Sequence, residues 1–345
     1  MIPTGGVSQL SGCCPPYGYH FIMSLVFLCF VFLKIHIIFS IYIMIFKGGN
    51  KMEYLVFDVG GTAIKYALMN DELEMLEKGS VPTPLDTLEN FLEVIKSIYN
   101  RYSSVDGIAM SLPGLYNKKT HKMQVPGALE YNQDVDVLEE IKKVTTERVV
   151  IENDAKCAAQ CEVTYGSLKG TDVGAVCILG TGIGGGMTIG DRVFTGGHGF
   201  ASEFSYLSTK WTEKNGFDSK WGMDGSALRL VNGIKKAVGA SDPFDGIKAF
   251  EYCNDGDTRA LSVLKDYTDT IAMGLFNIQA AVDPDCIAIG GGISKQPILM
   301  TYIQKSLDEL YEKMPVPIPQ VKLVQCKYNN DSNLIGALAN YKKVY

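Results

Sequence analysis

Apolar segments of two kinds alternate along the chain and predict alternating strands and helices. Short apolar runs that end in acidic or glycine-rich turns, such as residues 54–58 and 173–179, are typical of buried strands. Longer segments carry apolar residues every three or four positions, as Phe91, Ile95 and Ile98 do, which is typical of amphipathic helices. This alternation predicts an α/β protein.

The predicted elements fall into two similar halves. Strands are expected at residues 54–58, 64–69, 105–110, 149–151, 173–179, 186–189, 192–194, 286–289 and 321–325. Helices are expected at residues 85–102, 135–144, 155–165, 226–238, 258–282, 297–313 and 333–342. Each half opens with a strand, a glycine turn and a second hairpin strand, so the sequence predicts two similar lobes with a cleft between them. The expected small lobe comprises residues 52–165 and 331–345, and the large lobe residues 166–330.

An apolar run at residues 21–46 departs from this pattern. It exceeds the roughly 20 apolar residues that span a bilayer, and two lysines follow it, as in a signal anchor. Residues 47–52, however, correspond to the purine-rich codons of a ribosome-binding site before a start codon. We therefore interpret Met52 as the native start and residues 1–51 as a non-native tail, with a genuine membrane anchor as the alternative. N-terminal sequencing of protein from the native host distinguishes the two.

The overall composition is that of a globular enzyme and argues against nucleic-acid binding. The 345 residues are 46% hydrophobic and 20% charged, unlike a disordered or fibrous chain. Residues 52–345 carry 29 basic against 38 acidic residues, because the first 51 hold three lysines and no acid. Binding to phosphate backbones needs clustered Lys and Arg, so no nucleic-acid partner is expected.

The nine cysteines lack the spacing of a disulfide framework or a metal site. Six of them are scattered through apolar segments of residues 52–345, where no C-x-x-C pair occurs. They are expected to be buried free thiols in a reducing compartment.

Two glycine-rich turns after predicted strands are candidate phosphate loops. The first follows Asp58 at residues 60–62, where bare backbone would let a phosphate approach and the carboxylate could hold a Mg²⁺-bound water. An ordinary hairpin turn is its alternative. The second, at residues 180–186, has five glycines and the hydroxyl of Thr181, and it matches neither a Walker loop nor a dinucleotide fingerprint.

Asp154 is the candidate general base. It follows the strand at residues 149–151 and stands at the start of the next helix, so helix N-capping is the alternative role. The adjacent Asn153 and the glycine turns on either side in the sequence favour catalysis. For a general base, a position within hydrogen-bond distance of the substrate hydroxyl matters more than an unusual pKa. Phosphoryl transfer then depends on positioning and charge neutralisation.

Two further segments carry candidate binding residues. Glu203 lies among small residues at positions 199–206 and is suited to bridging two sugar hydroxyls, with a surface glutamate as the alternative. Residues 290–292 are three glycines after a strand, which could lie against the flat base of a nucleotide. A tight strand-to-helix turn is the alternative for them.

Together these motifs resemble the ROK family of sugar kinases and regulators, within the actin-like (ribonuclease H-like) ATPase fold. The resemblance covers residues 52–345 and rests on Asp58-Val-Gly-Gly-Thr62, Ser111-Leu-Pro-Gly114, Glu152-Asn-Asp154, Leu179-Gly-Thr-Gly-Ile-Gly-Gly185 and Val282-Asp-Pro-Asp-Cys-Ile-Ala-Ile-Gly-Gly-Gly292. It implies a cytoplasmic, homodimeric, ATP- and Mg²⁺-dependent kinase that phosphorylates a hexose hydroxyl, usually at C6.

The resemblance also implies roles for single residues. Asp154 would deprotonate the sugar hydroxyl, and Asp58 would hold Mg²⁺ through a water. The sugar would be bound by Asn153, Glu203, Tyr206 and Gly114. ATP and its phosphates would be bound by Asp58, Gly60, Gly61, Thr62, Lys65, Gly180, Thr181, Gly182, Gly184, Gly185, Gly290, Gly291 and Gly292.

One departure from the family pattern removes its zinc site. The family usually carries a Glu-x-Gly-His segment and then a cysteine-rich zinc loop. Tyr206 stands at the histidine position, Leu228 at that of a late glutamate, and the cysteine positions hold Ser219, Trp221 and Ser226. Without thiolate or imidazole ligands, no zinc is expected.

The same departure shapes the expected substrate. In the family the replaced histidine and glutamate grip the sugar near its anomeric end, so Tyr206 and Leu228 would make that side apolar and less demanding of a free C1 hydroxyl. The segment is similar to that of the β-glucoside kinases of the family. The favoured function is phosphorylation of a β-glucoside such as cellobiose, with a glucokinase or other hexose kinase as the alternative.

Two alternatives come from other classes of protein. A sugar-responsive repressor of the same family would carry a basic winged helix-turn-helix at its N-terminus, where residues 1–51 hold an apolar run instead. A membrane-anchored sugar sensor without catalysis is disfavoured by Asp154 and the two candidate phosphate loops.

Overall fold

The computed structural model describes residues 51–102, 104–208 and 220–345. The apolar run at residues 21–46, the interpretation of residues 1–51 and the position of Ser219 lie outside the described residues. Among those that are described, no helix is both long enough and apolar enough to cross a membrane.

The first sheet has five strands in the order β3-β2-β1-β4-β7. Strands β1, β2 and β3 form an antiparallel meander, whereas β4 and β7 run parallel to β1. A separate hairpin joins β5 to β6. The strands of this half are β1 (Glu53–Val59), β2 (Ala63–Asn70), β3 (Met75–Pro82), β4 (Gly107–Leu112), β5 (Leu115–Asn117), β6 (Lys122–Val125) and β7 (Val149–Asn153).

The second sheet repeats this arrangement in the order β10-β9-β8-β11-β12. Strands β8, β9 and β10 form the antiparallel part, and β11 and β12 run parallel to β8. The predicted pseudo-repeat is therefore confirmed at the level of strand order and direction. The strands are β8 (Val173–Leu179), β9 (Ile183–Ile189), β10 (Arg192–Val193), β11 (Cys286–Gly290) and β12 (Leu323–Gln325).

Helices cover both sheets and connect their parallel strands. In the described residues they are α1 (Leu88–Tyr99), α2 (Val137–Lys142), α3 (Asp154–Tyr165), α4 (Trp221–Asp224), α5 (Ala227–Val238), α6 (Gly246–Asn254), α7 (Thr258–Val282), α8 (Pro297–Glu312) and α9 (Ser332–Val344). The predicted helix at residues 258–282 is confirmed at both ends. Its first turn is capped by the Asp257 side chain, which accepts hydrogen bonds from the N–H groups of Arg259 and Ala260.

Several predicted boundaries were wrong for identifiable reasons. The sequence analysis missed β3, because this edge strand is mostly exposed and lacks a regular apolar alternation. It also missed α6. The helix predicted at residues 85–102 begins only at Leu88 and ends its α-helical part at Tyr99.

The predicted glycine loop at residues 180–186 is shorter than expected, because β9 already begins at Ile183. Gly184, Gly185 and Gly186 are strand residues paired with β8. A Cβ on Gly186 would lie 2.4 Å from the Cβ of Ala159 in α3. These glycines therefore let the helix approach the sheet closely, a requirement that a loop prediction could not reveal.

The apolar interior of the described residues consists of four clusters, of which one lies on each sheet and two involve α3. Phe57, Phe91 and Ile108 belong to the cluster of the first sheet, and Trp221 and Leu275 to that of the second. The third cluster packs α3 and α9 against the first sheet, and the fourth packs α3 against β8 and β11. The six described cysteines are buried and free, as predicted, and they lie at positions 157, 161, 177, 253, 286 and 326.

Gly336 in α9 marks the closest approach of this helix to α3. A Cβ at this position would lie 1.8 Å from the carbonyl oxygen of Cys157, and backbone cannot move aside as a side-chain end can. We expect Gly336→Ala to lower the free energy of unfolding by about 3 kcal/mol through overpacking. Urea unfolding measures the loss.

Gly246→Ala in α6 is the matched control, because its nearest non-neighbouring atom would be 3.9 Å away. This variant should be as stable as wild type or slightly more stable, since alanine favours a helix. Equal stability of the Gly336→Ala variant and wild type would contradict the described packing of α9 on α3.

Candidate functional site

A pocket of about 510 Å³ opens where the carboxyl ends of parallel strands from both sheets meet. Asp58 near the end of β1 and Asp154 after β7 line it from the first sheet. The turn after β8 and Gly291 after β11 line it from the second sheet. This is where open α/β sheets commonly bind ligands, and the volume suits a small molecule.

Asp154 is the first residue of α3, and its carboxylate lines the pocket. The N-cap is Asn153, whose Oδ1 accepts the N–H of Lys156 at 3.1 Å, so the alternative in which Asp154 itself caps the helix was wrong. The Asp154 Oδ1 accepts the N–H of Ala155 at 2.7 Å and the Nδ2–H of Asn153 at 2.9 Å. The carboxylate is thus fixed by its neighbours.

The surroundings make Asp154 an unusually basic carboxylate. Burial raises its pKa from 3.8 to about 6, and the negative charges of Asp58 and Glu203 act in the same direction. The hydrogen bonds from Ala155 and Asn153 lower it and only partly offset the burial. A carboxylate with this pKa is ionised at neutral pH and accepts a proton more readily than an ordinary aspartate.

Asn153 holds the loop that follows β4 close to Asp154. Its Nδ2 donates to the carbonyl oxygen of Gly114 at 2.8 Å, and the side chain is almost fully buried. Gly114 has a φ of +97°, and a Cβ there would lie 2.1 Å from the carbonyl oxygen of Val125. Glycine is therefore required at this turn. Both residues line the pocket.

Asp58 is the centre of a second polar cluster. Its Oδ1 accepts hydrogen bonds from Ser111 Oγ at 3.1 Å and from Asn333 Nδ2 at 3.0 Å, and the Lys65 Nζ lies 3.4 Å from Oδ2. Carboxylate lone pairs remain on this nearly buried group for a metal-bound water, which is compatible with Mg²⁺ held indirectly. No group of three or more acidic, His or Cys side chains among the described residues forms a direct metal site.

The turn between β8 and β9 presents open backbone to the pocket. Gly180, Thr181 and Gly182 line it, and a Cβ on Gly180 would meet no atom closer than 3.8 Å. The start of α5 fixes the turn: Ser226 Oγ donates to the carbonyl oxygen of Thr181 at 2.6 Å, and the Ala227 N–H to that of Gly180 at 2.9 Å. A fixed glycine turn of this kind can accommodate a phosphate.

The remaining glycines expected to bind nucleotide divide into two groups. Gly184, Gly185 and Gly291 line the pocket. Gly291 has a φ of +97°, and its Cβ would clash with the backbone of Leu179. The residues that lie outside the pocket lining are Gly60, Gly61, Thr62, Gly290 and Gly292.

Glu203 lines the pocket and forms an ion pair that the sequence analysis did not anticipate. Its Oε1 lies 2.7 Å from the Nζ of Lys156, a side chain that is only 2% exposed. The sequence signal for this ion pair was the presence of a lysine two residues after Asp154. Asn333 was also missed, and it gave no local signal because it is 275 residues from its partner Asp58.

Tyr206 lines the pocket beside Glu203, with its ring centroid 5.2 Å from that of Phe200. Two residues at the expected cysteine positions have structural roles instead. Trp221 is buried and donates its Nε1–H to the carbonyl oxygen of Thr270, and Ser226 caps α5. Leu228 is 55% exposed and does not line the pocket.

The fold and the site together define an α/β protein with a duplicated sheet and a pocket that combines a fixed carboxylate with a glycine turn. The chain belongs to the ROK family, whose model matches residues 54–344. Solved structures that share this fold include a ROK family glucokinase and a ROK hexokinase.

Curated relatives of known activity are similar over most of their length. A β-glucoside kinase of Listeria monocytogenes is 26% identical, and the match covers 84% of this chain and 97% of that protein. An N-acetyl-D-glucosamine kinase of Vibrio atlanticus is also 26% identical, over 82% of this chain and 98% of the relative.

Two solved structures share the fold. A ROK family protein of Streptococcus pneumoniae, in complex with sucrose, is 29% identical with a TM-score of 0.76, over 85% of this chain and 100% of that one. A ROK glucokinase of Streptomyces griseus, with glucose and AMPPNP, is 23% identical with a TM-score of 0.72, over 84% and 98% of the two chains.

Because the pKa of Asp154 is raised in the folded state, ionisation of this group destabilises the fold. Between pH 3.8 and about 6 the folded chain keeps this proton while the unfolded chain has lost it, so this group lowers stability as the pH rises through that window. We expect Asp154→Asn, which keeps the Oδ1 acceptor, to unfold at higher urea above pH 6. The gain should reach up to about 3 kcal/mol and disappear at low pH.

Asp191→Asn is the control, because contact with Lys343 lowers the pKa of that exposed carboxylate. No gain in stability is expected from it. If the difference in free energy of unfolding between Asp154→Asn and wild type stayed constant from pH 4 to 7.5, ionisation of Asp154 would not be what destabilises the fold.

Proposed function

We propose that the protein is an ATP-dependent sugar kinase with Asp154 as its general base. The observation that carries the proposal is the fixed, basic carboxylate of Asp154 across one pocket from the open glycine turn at residues 180–182. Membership of the ROK family and the kinase activities of its curated relatives support the proposal.

In this mechanism Asp154 accepts the proton of a sugar hydroxyl as the hydroxyl oxygen attacks the γ-phosphorus of ATP. The new O–P bond forms as the bond between the γ-phosphorus and the bridging oxygen breaks, and ADP leaves with that oxygen. The hydrogen bonds from Ala155 and Asn153 aim the carboxylate, so little rearrangement is needed when the proton moves.

The backbone of residues 180–182 would bind the phosphates, since its position is set by Ser226 and Ala227 before a ligand arrives. Magnesium would neutralise charge on the transferring phosphoryl group. Asp58 is the residue placed to hold a metal-bound water, and Ser111 and Asn333 keep its carboxylate in place. Lys65 adds a positive charge on the same side.

We further propose that the two equivalent sheets belong to two lobes, one comprising residues 52–165 with 331–345 and the other residues 166–330. The support is the identical strand order of the sheets and the contribution of both to one pocket. Closure of such lobes around a sugar would exclude water from the transferring phosphoryl group.

The favoured sugar is a β-glucoside such as cellobiose. Tyr206 puts an aromatic ring at the pocket where the family resemblance implies a histidine, and the Phe200 ring packs beside it. An aromatic surface can bury the face of a second sugar unit and does not require a free C1 hydroxyl. A glucokinase or other hexose kinase is the alternative, and the N-acetylglucosamine kinase relative adds a third sugar to test.

Asp154→Asn should strongly slow phosphoryl transfer while leaving nucleotide binding intact. Loss of a general base lowers kcat by about 10²–10⁴-fold. In wild type, kcat/KM for the sugar should fall about tenfold per pH unit below pH 6, because only the ionised carboxylate accepts a proton. Coupled ADP-release kinetics and calorimetry with an ATP analogue measure both effects. Full activity of the variant would reject Asp154 as the base.

A panel of sugars tests the substrate. We expect kcat/KM for cellobiose and other β-linked disaccharides to exceed that for glucose and N-acetylglucosamine. Tyr206→Ala should reduce this preference by removing the aromatic surface. Rapid turnover of glucose with none of the disaccharides, or a preference for N-acetylglucosamine, would reject the β-glucoside assignment and leave the kinase assignment standing.

A further inference from the structure

Lys156 is a buried cation that the proposed mechanism does not use. It is the third residue of α3, and its side chain is only 2% exposed. The Nζ donates to the Glu203 Oε1 at 2.7 Å and to the carbonyl oxygen of Gly199, also at 2.7 Å. Both partners lie in the segment that enters the pocket between β10 and α4.

The position of this lysine is unfavourable for the helix itself. The first turn of a helix carries partial positive charge, so a cation there is disfavoured and an anion preferred. Burial adds a further cost, which only a close counter-charge and good hydrogen bonds can offset. Because neither the helix nor burial favours a cation at this position, the contacts that Lys156 makes are the reason for a lysine there.

Lys156 connects the base to the residue expected to hold the sugar. Its backbone N–H donates to Asn153 Oδ1, and Asn153 in turn donates to Asp154. Its Nζ reaches Glu203, and both Asp154 and Glu203 line the same pocket. Lys156 therefore contacts both Asn153, which holds the proposed proton acceptor, and Glu203.

The contact also fixes one oxygen of Glu203 and leaves the other for a ligand. Oε1 is bound to Lys156, whereas Oε2 has no hydrogen-bond partner among the residues that the structure describes. Gly199, the second partner of Lys156, has a φ of +79°, and a Cβ there would lie 2.8 Å from the carbonyl oxygen of Tyr116. The segment that carries Glu203 is thus held at two points.

We propose that Lys156 is a positioning residue for sugar binding, which acts by holding Glu203 in the orientation in which its carboxylate accepts hydrogen bonds from sugar hydroxyls. The inference rests on the proposed sugar-kinase function and adds a residue to it. A structural ion pair alone would stabilise the fold without an effect on sugar affinity that depends on Glu203.

A double-mutant cycle separates the two possibilities. The variants are Lys156→Met, Glu203→Gln and the pair together, measured with the best sugar of the panel. We expect Lys156→Met to raise the KM for the sugar about tenfold or more while the KM for ATP stays within about twofold. In the Glu203→Gln background the same change should alter the sugar KM by less than about twofold, because the two residues act as a unit.

Lys142→Met is the matched control, because Lys142 pairs with Glu139 on the exposed surface and should leave both KM values unchanged. Thermal unfolding with and without ATP confirms folding. If Lys156→Met does not fold, Lys156→Gln, which can still donate to Glu203 and Gly199, replaces it with a smaller expected rise in sugar KM. The inference would be overturned if Lys156→Met raised the sugar KM equally in the wild-type and Glu203→Gln backgrounds. It would also be overturned if Lys156→Met left the sugar KM unchanged.

Failure of the proposed function has a different signature. If wild type phosphorylates no sugar of the panel, the kinase assignment fails, and calorimetric titration of cellobiose and glucose into the same variants still tests the role of Lys156. Sugar binding that Lys156→Met weakens only when Glu203 is present would support it. Binding that is independent of both residues would reject it.

Discussion

The junction between β7 and α3 is the constraint on which the rest of the site depends. A strand that ends in Asn153 and a helix that begins with Asp154 place a carboxylate on the first turn, where the Ala155 N–H and the Asn153 amide hold it. Hydrogen bonds and the helix dipole favour the charge, whereas burial and two neighbouring carboxylates oppose it. The balance leaves the group ionised at neutral pH and still basic enough to accept a proton.

The duplicated sheet explains why this junction faces a glycine turn. In each half the first parallel strand leads into a hairpin, and the carboxyl ends of the parallel strands meet at one pocket. One half contributes carboxylates at Asp58 and Asp154, and the other contributes open backbone at residues 180–182. Helices α3 and α9 pack so closely that glycine is required at Gly336. Precise placement of groups from distant parts of the chain requires such tight packing.

Much of this could be predicted from sequence, because it is encoded locally. The helix at residues 258–282 is encoded by its apolar periodicity and by the N-cap residue Asp257. The pseudo-repeat follows from two similar patterns of strands and glycines. The position of Asp154 at the pocket was predictable, because residues next to it in sequence also contact it in space. The features that were missed depend on distant contacts. Asn333 reaches Asp58 from the far end of the chain, and Gly186 is a glycine because α3 packs on it. Lys156 gave only a weak local signal, since its partner lies 47 residues away.

A crystal structure of the wild-type protein with a sugar substrate and a non-hydrolysable ATP analogue tests the central claim most directly. The account predicts an Asp154 carboxylate oxygen about 2.6–3.2 Å from the sugar hydroxyl that faces the γ-phosphate, with the phosphates against residues 180–182. A sugar bound with its reactive hydroxyl out of reach of Asp154, or phosphates bound away from that turn, would contradict it.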